Sequence, residues 1–559
     1  MTRLFAKVLL VGVLSLNTFA FAQETCYSVQ LASIFNVNNR YIKEAAYPST
    51  CKLISLSNLK AVRCGCFDDK IEAIKALKLH RKKYHGAILV RTYKSRFEKK
   101  PYIQTQKKQK TKALPQKTVP KPSSKQIRPL KKPKKQANIF DKEILSFLSE
   151  GEFSIQGHVD LTAQGYMQRP PDKHKANLTA SGEVELDYVY EDITLVGKLY
   201  IQADSYDMKE SSQKNKRSFI RLDELYVKQD FEDDQIMFGK NIRFWGALET
   251  KNITDVFNPN DFRSDIFKTD KLGVWNLAYT HYTQTGELAL IIKLQEQDRK
   301  LAGLPYVYYV LPKDITDPAS GQSFPINYSS ELHADQDVNR PSFFMKYSGS
   351  TDTEVAWDYA IIFENGYDSQ RYFRQLIPNA SFTAVDTQEN AYLVNKLMTY
   401  NTVVLGSTLL KLEAVYADVI SDDVISDYYH IGLGVEHTLI QFYKEADLGL
   451  IAEYFNYGTL ENDPKKYDDL RLFETFQNDL FLGARYSFNQ GNDASIIGGG
   501  IFDLEYNEQV YYIEYESRIA DTFKLNIDYQ IINPSKNTPT AFSIIGKHQR
   551  LGAQIGYYF

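Results

Sequence analysis

From residue 153 onward, apolar and polar residues alternate with period two. Phe153, Ile155, Gly157, Val159, Leu161 and Ala163 share one face; Ser154, Gln156, His158, Asp160, Thr162 and Gln164 share the other. The pattern recurs with Val184, Leu186 and Tyr188 against Glu183, Glu185 and Asp187, and again with Leu195, Leu199 and Ile201 against Lys198, Gln202 and Asp204. Far downstream, Leu525, Ile527 and Tyr529 oppose Lys524, Asn526 and Asp528. Side chains of a strand point alternately to its two faces, so each run predicts a strand with one oily and one wet face. A soluble sandwich hides the oily face against a second sheet; a membrane barrel shows it to lipid and turns the charges to a wet lumen.

Connection lengths favour the barrel. Short joints fall near 191–192, 233–234, 285–286, 350–353, 406–408, 443–445, 490–492 and 520–521. Longer polar loops fall between them, at 169–174, 205–216, 247–270, 300–341, 367–390, 420–426, 459–472 and 533–543, with one tight exception at 505–508. Short turns at one rim and long loops at the other characterise membrane barrels. The expected fold is mainly β, an antiparallel transmembrane barrel of about 18 strands, with 16 as the lesser count. An even count puts both barrel ends at the short-turn rim.

The final strand reads L-G-A-Q-I-G-Y-Y-F, with Leu551, Ala553, Ile555, Tyr557 and Phe559 on one face. An aromatic strand ending in Phe resembles the closing strand of Gram-negative outer-membrane barrels. That resemblance implies outer-membrane lipid and, during biogenesis, the barrel assembly machinery as partners.

Charge divides the chain. The net charge of −2 hides a strongly basic stretch at 23–137, with 28 Lys and Arg against 6 Asp and Glu, and an acidic remainder. The 39 Tyr and 32 Phe against 3 Trp suit strands and interfacial girdles. Arg3 and Lys7, an apolar run at 8–16 and Ala20-Phe21-Ala22 read as a secretory signal peptide over 1–22. No later run is long and apolar enough for a helical span, so any membrane crossing uses strands. Export places Cys26, Cys51, Cys64 and Cys66 in an oxidising compartment and favours disulfides. Four cysteines allow three pairings, and all three stay open.

Residues 26–95 predict a small α/β unit of order βαββαβ, with strands near 27–31, 52–55, 61–66 and 87–92. Helices are expected over 38–46 and after Asp68. Y-S-V-Q-L-A-S-I-F, followed by A-V-R-C-G-C-F-D-D-K-I-E-A, resembles the sporulation-related repeat (SPOR) domain. The matches are Tyr27, Gln30, Ala32 and Ser33, then Val62, Arg63, Gly65 and Phe67. Cys64, Cys66 and Ile34 depart from the family pattern. The resemblance implies binding of peptidoglycan glycan strands on the sheet, with Tyr27, Gln30, Ser33 and Arg63 as contacts.

Residues 96–138 are rich in Lys, Gln and Pro. Such a stretch buries no core and extends at about 3 Å per residue, a reach on the order of 100 Å. Its basic runs call for no nucleic acid in an exported chain; anionic wall or lipid, or plain solvation, suffices. The barrel domain is then 139–559.

The loop following the fifth barrel strand reads F-G-K-N-I-R-F-W-G-A-L-E-T-K-N-I-T-D-V-F-N-P-N-D-F-R. Trp245-Gly246 with Asp255 and Asn258-Pro259-Asn260-Asp261 resembles a pattern of porin-like outer-membrane families. A long third loop folded inward would narrow the lumen, with Arg243, Glu249, Asp255, Asp261 and Arg263 setting the constriction field.

Catalytic signatures are missing: HExxH, a Gly-rich phosphate loop and GxSxG are all absent, so no enzyme, cofactor or metal is expected. Cys64, Cys66, His80 and His85 mimic a zinc quartet only loosely, because one residue separates the cysteines. Glu514 and Glu516 look like lumen lining rather than a catalytic pair. Together these features lead to an outer-membrane channel for small solutes or ions, tethered to peptidoglycan. The rival is a plugged barrel that only anchors membrane to wall.

Overall fold

Alternation alone places the wall strands, and the computed structural model follows it. The structure describes residues 25–35, 48, 51–55, 59–67, 70–81 and 88–93. From 151 it describes everything except 208–215, 284, 305, 318–319, 353–354, 377–382, 421–423, 461–473, 490–491, 521 and 537. The signal peptide, the helix expected at 38–46, the basic linker and residues 139–150 lie outside the described residues. Two compact units result, divided at Gly151.

The first unit holds β1 (Thr25–Phe35), β2 (Cys51–Ser55), β3 (Leu59–Phe67), α1 (Lys70–Arg81) and β4 (Ile88–Tyr93). The sheet order is β2-β3-β1-β4, and every pairing is antiparallel. Val29, Leu31, Val62 and Cys64 form its core, against which Ala76 and Leu77 of α1 pack. Lys75 and Lys78 stay exposed. Cys51 and Cys64, cross-strand partners in the ladder, form a disulfide, and Cys66 is disulfide-bonded as well. One of the pairings left open by the sequence is thereby chosen.

The second unit is a closed barrel of eighteen antiparallel strands. In order they are β5 (Glu152–Gln168), β6 (Ala176–Tyr190), β7 (Ile193–Asp204), β8 (Phe219–Asp230), β9 (Asp234–Asn241), β10 (Val274–Tyr282), β11 (Gly286–Lys293), β12 (Ser342–Asp352) and β13 (Ala356–Tyr367). The circuit continues with β14 (Leu393–Leu405), β15 (Thr408–Val419), β16 (Tyr428–Tyr443), β17 (Ala446–Thr459), β18 (Asn478–Ser487), β19 (Ser495–Asp503), β20 (Gln509–Ala520), β21 (Phe523–Asn533) and β22 (His548–Tyr558). β22 pairs back onto β5, with Ile555 opposite Leu161 and Tyr557 opposite Val159. Phe559 exchanges backbone hydrogen bonds with Gly157 and completes the seam. Closure leaves no unpaired wall edge. Short joints and long loops alternate around the barrel as the sequence predicts, including the tight exception at 504–508.

Outward positions form an exposed apolar belt. Val159 and Leu161 on β5, Ile361 on β13, Leu397 on β14, Leu433 on β16, Leu482 on β18 and Ile513 on β20 are all exposed. An apolar surface encircling the molecule is far larger than a water-facing monomer carries. Aromatics border it on both sides. Tyr279, Trp357, Phe523 and Tyr557 lie toward the short-turn rim; Trp275, Phe343, Tyr416 and Tyr454 lie toward the long-loop rim. Beyond the second border the outward face turns polar. Asn365 donates to Asn395 at 2.8 Å, Asn395 to Asp418 at 3.2 Å, and Tyr429 to Asn456 at 3.0 Å. This layering is that of a strand wall in a bilayer.

The inward face departs from the expected ring of charge. On β5 to β8 and on β20 to β22 it is polar, as the alternation predicts. On β9 to β19 apolar residues are set among the charges: Ile291, Phe344, Ile362, Met398, Val415, Ile451, Phe455 and Phe481 point inward and are buried, alongside Lys293, Lys396, Glu413 and Glu453. Strands such as L-A-L-I-I and A-I-I-F are oily on both faces because protein covers the inner one. That cover comes from a loop.

Candidate functional site

Loop 242–273 leaves β9 and folds into the lumen. Trp245, Leu248, Ile253 and Phe257 join the core formed by the inward apolar residues of the wall. Trp245 lies tilted and Phe257 edge-on against Phe344, with ring centroids 5.6 and 5.2 Å away. Gly432 and Gly434 on β16 make room: a Cβ at either would meet the Leu248 side chain at 2.4 or 2.8 Å.

Two wall carboxylates latch the loop's backbone. Glu413 on β15 accepts the Ala247 and Leu248 N–H groups at 2.6 and 3.0 Å. Its other oxygen accepts the N–H and hydroxyl of Thr254, both at 3.0 Å. Glu453 on β17 accepts the Glu249 and Thr250 N–H groups at 2.6 and 2.9 Å. Glu413 is fully buried and Glu453 nearly so. Charge-assisted bonds from backbone donors to a buried carboxylate are among the stronger ones a protein makes. Asn258 ties the loop's two ends together, donating to the Asn241 and Leu272 carbonyls and accepting from the Arg243 N–H.

A second inward segment is the strap Tyr306–Tyr309, from loop 294–341. Tyr306, Val307 and Tyr308 have no exposed surface. Tyr306 shares a hydrogen bond of 3.0 Å with Tyr166 and donates to the Ser264 carbonyl at 3.2 Å. Tyr308 donates to Gln530 at 2.7 Å and accepts from Arg550 at 2.6 Å. Lys173 donates to the Tyr306 carbonyl, and the Arg217 guanidinium lies 4.0 Å from the Tyr306 ring centre. Burial pulls Lys173 down to about 8 and pushes Tyr309 up to about 12. At Asp265 burial opposes ionisation, but the Arg550 guanidinium outweighs it and holds the carboxyl below its ordinary value.

Between loop and polar wall lies a cavity of about 380 Å³. Its acids are Asp160, Glu183, Asp223, Asp265 and Asp270; its bases are His158, Lys198, Arg217, Arg221 and Lys271. The bases are already engaged. Lys198 sits 3.1 Å from Glu183 and 3.0 Å from Glu185. Arg221 pairs with Asp223, with Asp261 at 2.7 Å and with Asp270 at 3.4 Å. Arg550, beside the strap, pairs with Asp265 at 2.5 Å and with Asp528 at 2.6 Å. Three cations are thus each shared among two or three carboxylates, and the arc keeps an acidic excess.

The five residues expected at a constriction all belong to the inward loop but occupy its seams. Arg243 lies over Phe257 and donates to Asn276. Glu249 pairs with Arg485 on β18, the strand next to β17. Asp255 binds Lys271 at 3.3 Å. Asp261 bridges Arg221 and Arg263, and Arg263 stacks on Phe219 at 3.5 Å. None of the five is among the residues lining the cavity. In the first unit, Gln30 and Arg63 are cross-strand partners joined by a 3.0 Å hydrogen bond on the face opposite the core. Tyr27 has the strand parity of the core residues Val29 and Leu31, and the Ser33 side chain lies outside the described residues.

Sequence reasoning passed over Glu413, Glu453, Arg217, Arg221, Arg550 and the strap. The strap carried a readable signal: L-P-Y-V-Y-Y-V-L at 304–311 is an apolar run within a polar loop, which implies burial. The latching carboxylates carried none, because an inward Glu on a strand looks the same whether it meets water or a loop.

No protein-family model matches this chain, and no curated protein does. Solved structures with a similar trace include OprB of Pseudomonas putida, at 10% identity over 75% of this chain and 96% of that one, with a TM-score of 0.37. OccK5 (OpdH) of Pseudomonas aeruginosa is similar at 9% identity, over 73% and 98%, with a TM-score of 0.40. The outer-membrane channel DcaP of Acinetobacter baumannii is similar at 11% identity, over 73% and 97%, with a TM-score of 0.37. At such scores the likeness is only recorded; the barrel rests on its own strand pairing.

Proposed function

We propose that this chain is an outer-membrane channel for small solutes or ions, with its path along the polar arc of β5 to β8 and β20 to β22. The observation that carries the reading is the polar cavity left between that arc and a loop latched to the opposite wall. The loop's apolar side chains pack against inward apolar residues of the wall, which leaves the cavity on the opposite side of the lumen. Sharing of Lys198, Arg221 and Arg550 among several carboxylates leaves negative field in the path and favours cations. In planar bilayers under a salt gradient, the reversal potential should carry the sign of cation preference. Asp160→Asn with Glu183→Gln should lower the cation-to-anion permeability ratio several-fold; anion preference in the unaltered protein would contradict the proposal.

The first unit would hold the barrel to peptidoglycan. Its antiparallel sheet with α1 on one face supports the SPOR-like reading, and on the face opposite the core Gln30 accepts a hydrogen bond from the buried Arg63. Removing residues 26–93 should abolish pull-down with purified glycan strands and leave conductance unchanged. A second reading, a plugged barrel serving only as anchor, is favoured by the fully buried strap in the lumen. Absence of any conductance from folded protein would select it.

A further inference from the structure

Resting on the channel reading, we infer that the strap Tyr306–Tyr309 is a movable closure over the long-loop end of the polar path, seated on Arg550. The cavity's residues on that side include Gln164, Arg217, Ser264 and Asp265. Each of them meets the strap or its seat. Tyr306 donates to the Ser264 carbonyl and lies 3.4 Å from the Gln164 amide oxygen; Arg217 faces its ring; Asp265 shares Arg550 with Tyr308. The strap therefore covers the place where a solute following the arc would leave.

The anchors of this segment differ in kind from those of the latched loop. Its side-chain anchors are neutral tyrosine hydroxyls, on partners that water would satisfy once the strap lifted. Loop 242–273, by contrast, is held through backbone N–H groups on buried carboxylates. The strap is also bounded: Lys300 exchanges backbone bonds with the inward loop at Asn260 and Phe262, and Asp314–Thr316 pairs with Ser323–Pro325, so the segment that can lift is the short span between these two pins.

Arg550 makes the seat specific. Its Nη1 donates to Asp265 of the inward loop and to Tyr308 of the strap, while Nε and Nη2 hold Asp528 on the neighbouring strand. One guanidinium thus positions the closure relative to the loop that borders the path.

The test is single-channel recording of the full chain in planar bilayers, with barrel folding checked by resistance to denaturation in cold detergent. Tyr306→Ala with Tyr308→Ala should give a unitary conductance several-fold above the unaltered protein. Tyr306→Phe with Tyr308→Phe keeps the packing and removes only the hydroxyls; it should keep the closed level and visit the large level more often. If the alanine pair folds and conducts like the unaltered protein, the strap does not lie in the path and the inference falls while the channel reading stands. If the alanine pair fails to fold, an unchanged opening frequency in the phenylalanine pair overturns the inference. If every folded variant is silent, the channel reading falls with it.

Discussion

Glu413→Ala should release loop 242–273 from the wall while leaving the barrel closed. The carboxylate accepts three backbone N–H groups and one hydroxyl from the loop. Its removal strands three buried donors, and an unsatisfied buried donor costs about 1–3 kcal/mol. Truncation also opens space beneath Leu248, which packs on the same wall. The docked loop should therefore lose several kcal/mol, more than enough to populate an undocked form. Strand pairing of β15 with β14 and β16 uses backbone groups and does not involve this side chain. Limited trypsin digestion in detergent reads the difference. Lys251, held in the docked loop by Glu474, should be cut readily in the variant and resist in the unaltered protein. Conductance noise should rise as the loop samples the lumen. Glu413→Gln should fall between, since its oxygen keeps part of the bonding and its amide opposes the remaining N–H donors. A variant as resistant as the parent would mean that the apolar contacts alone hold the loop.

The reach of the sequence follows from where each signal originates. Wall strands are legible because lipid and water impose opposite demands on adjacent residues, and a period of two records both. Val159 against Asp160 is the pattern at its plainest, and it located β5. Turn spacing gave the strand count for the same reason: a chain that must recross a bilayer keeps regular intervals. The lumen was less legible, because its solvent is partly protein. Inward Phe344 and Ile362 contact Trp245 and Phe257, a partner far away in sequence that no local period encodes. The loop folds inward as its length and turn residues predict, and its charged residues lie in the seams between loop and wall. Asp261 and Arg263 answer each other and Arg221, so they build the seam, and the cavity is bordered by other groups. A single strand cannot reveal which of its charges will be neutralised by a loop.

Ile361→Arg should destabilise the folded barrel in lipid by about 2–4 kcal/mol, the cost of a guanidinium facing acyl chains near the bilayer midplane. Ile361 is mid-strand on β13, is more than half exposed, and lies between outward-facing Tyr347 and Thr399 in the ladder. Trp357→Arg, four residues toward the short-turn rim, should cost only about 0–1 kcal/mol because the side chain reaches the interface. The pair is decisive through its depth dependence. On a water-facing sheet an exposed isoleucine tolerates arginine within about half a kcal/mol, and position along the strand makes no systematic difference. In a bilayer the penalty must peak at the belt's centre and vanish at its aromatic borders. Urea unfolding in lipid vesicles, followed by tyrosine and tryptophan fluorescence, measures both substitutions on one scale. Equal, small effects at the two positions would remove the lipid from the outer face. The inner path would go with it, because the polar arc was assigned to a lumen only by turning the oily residues outward.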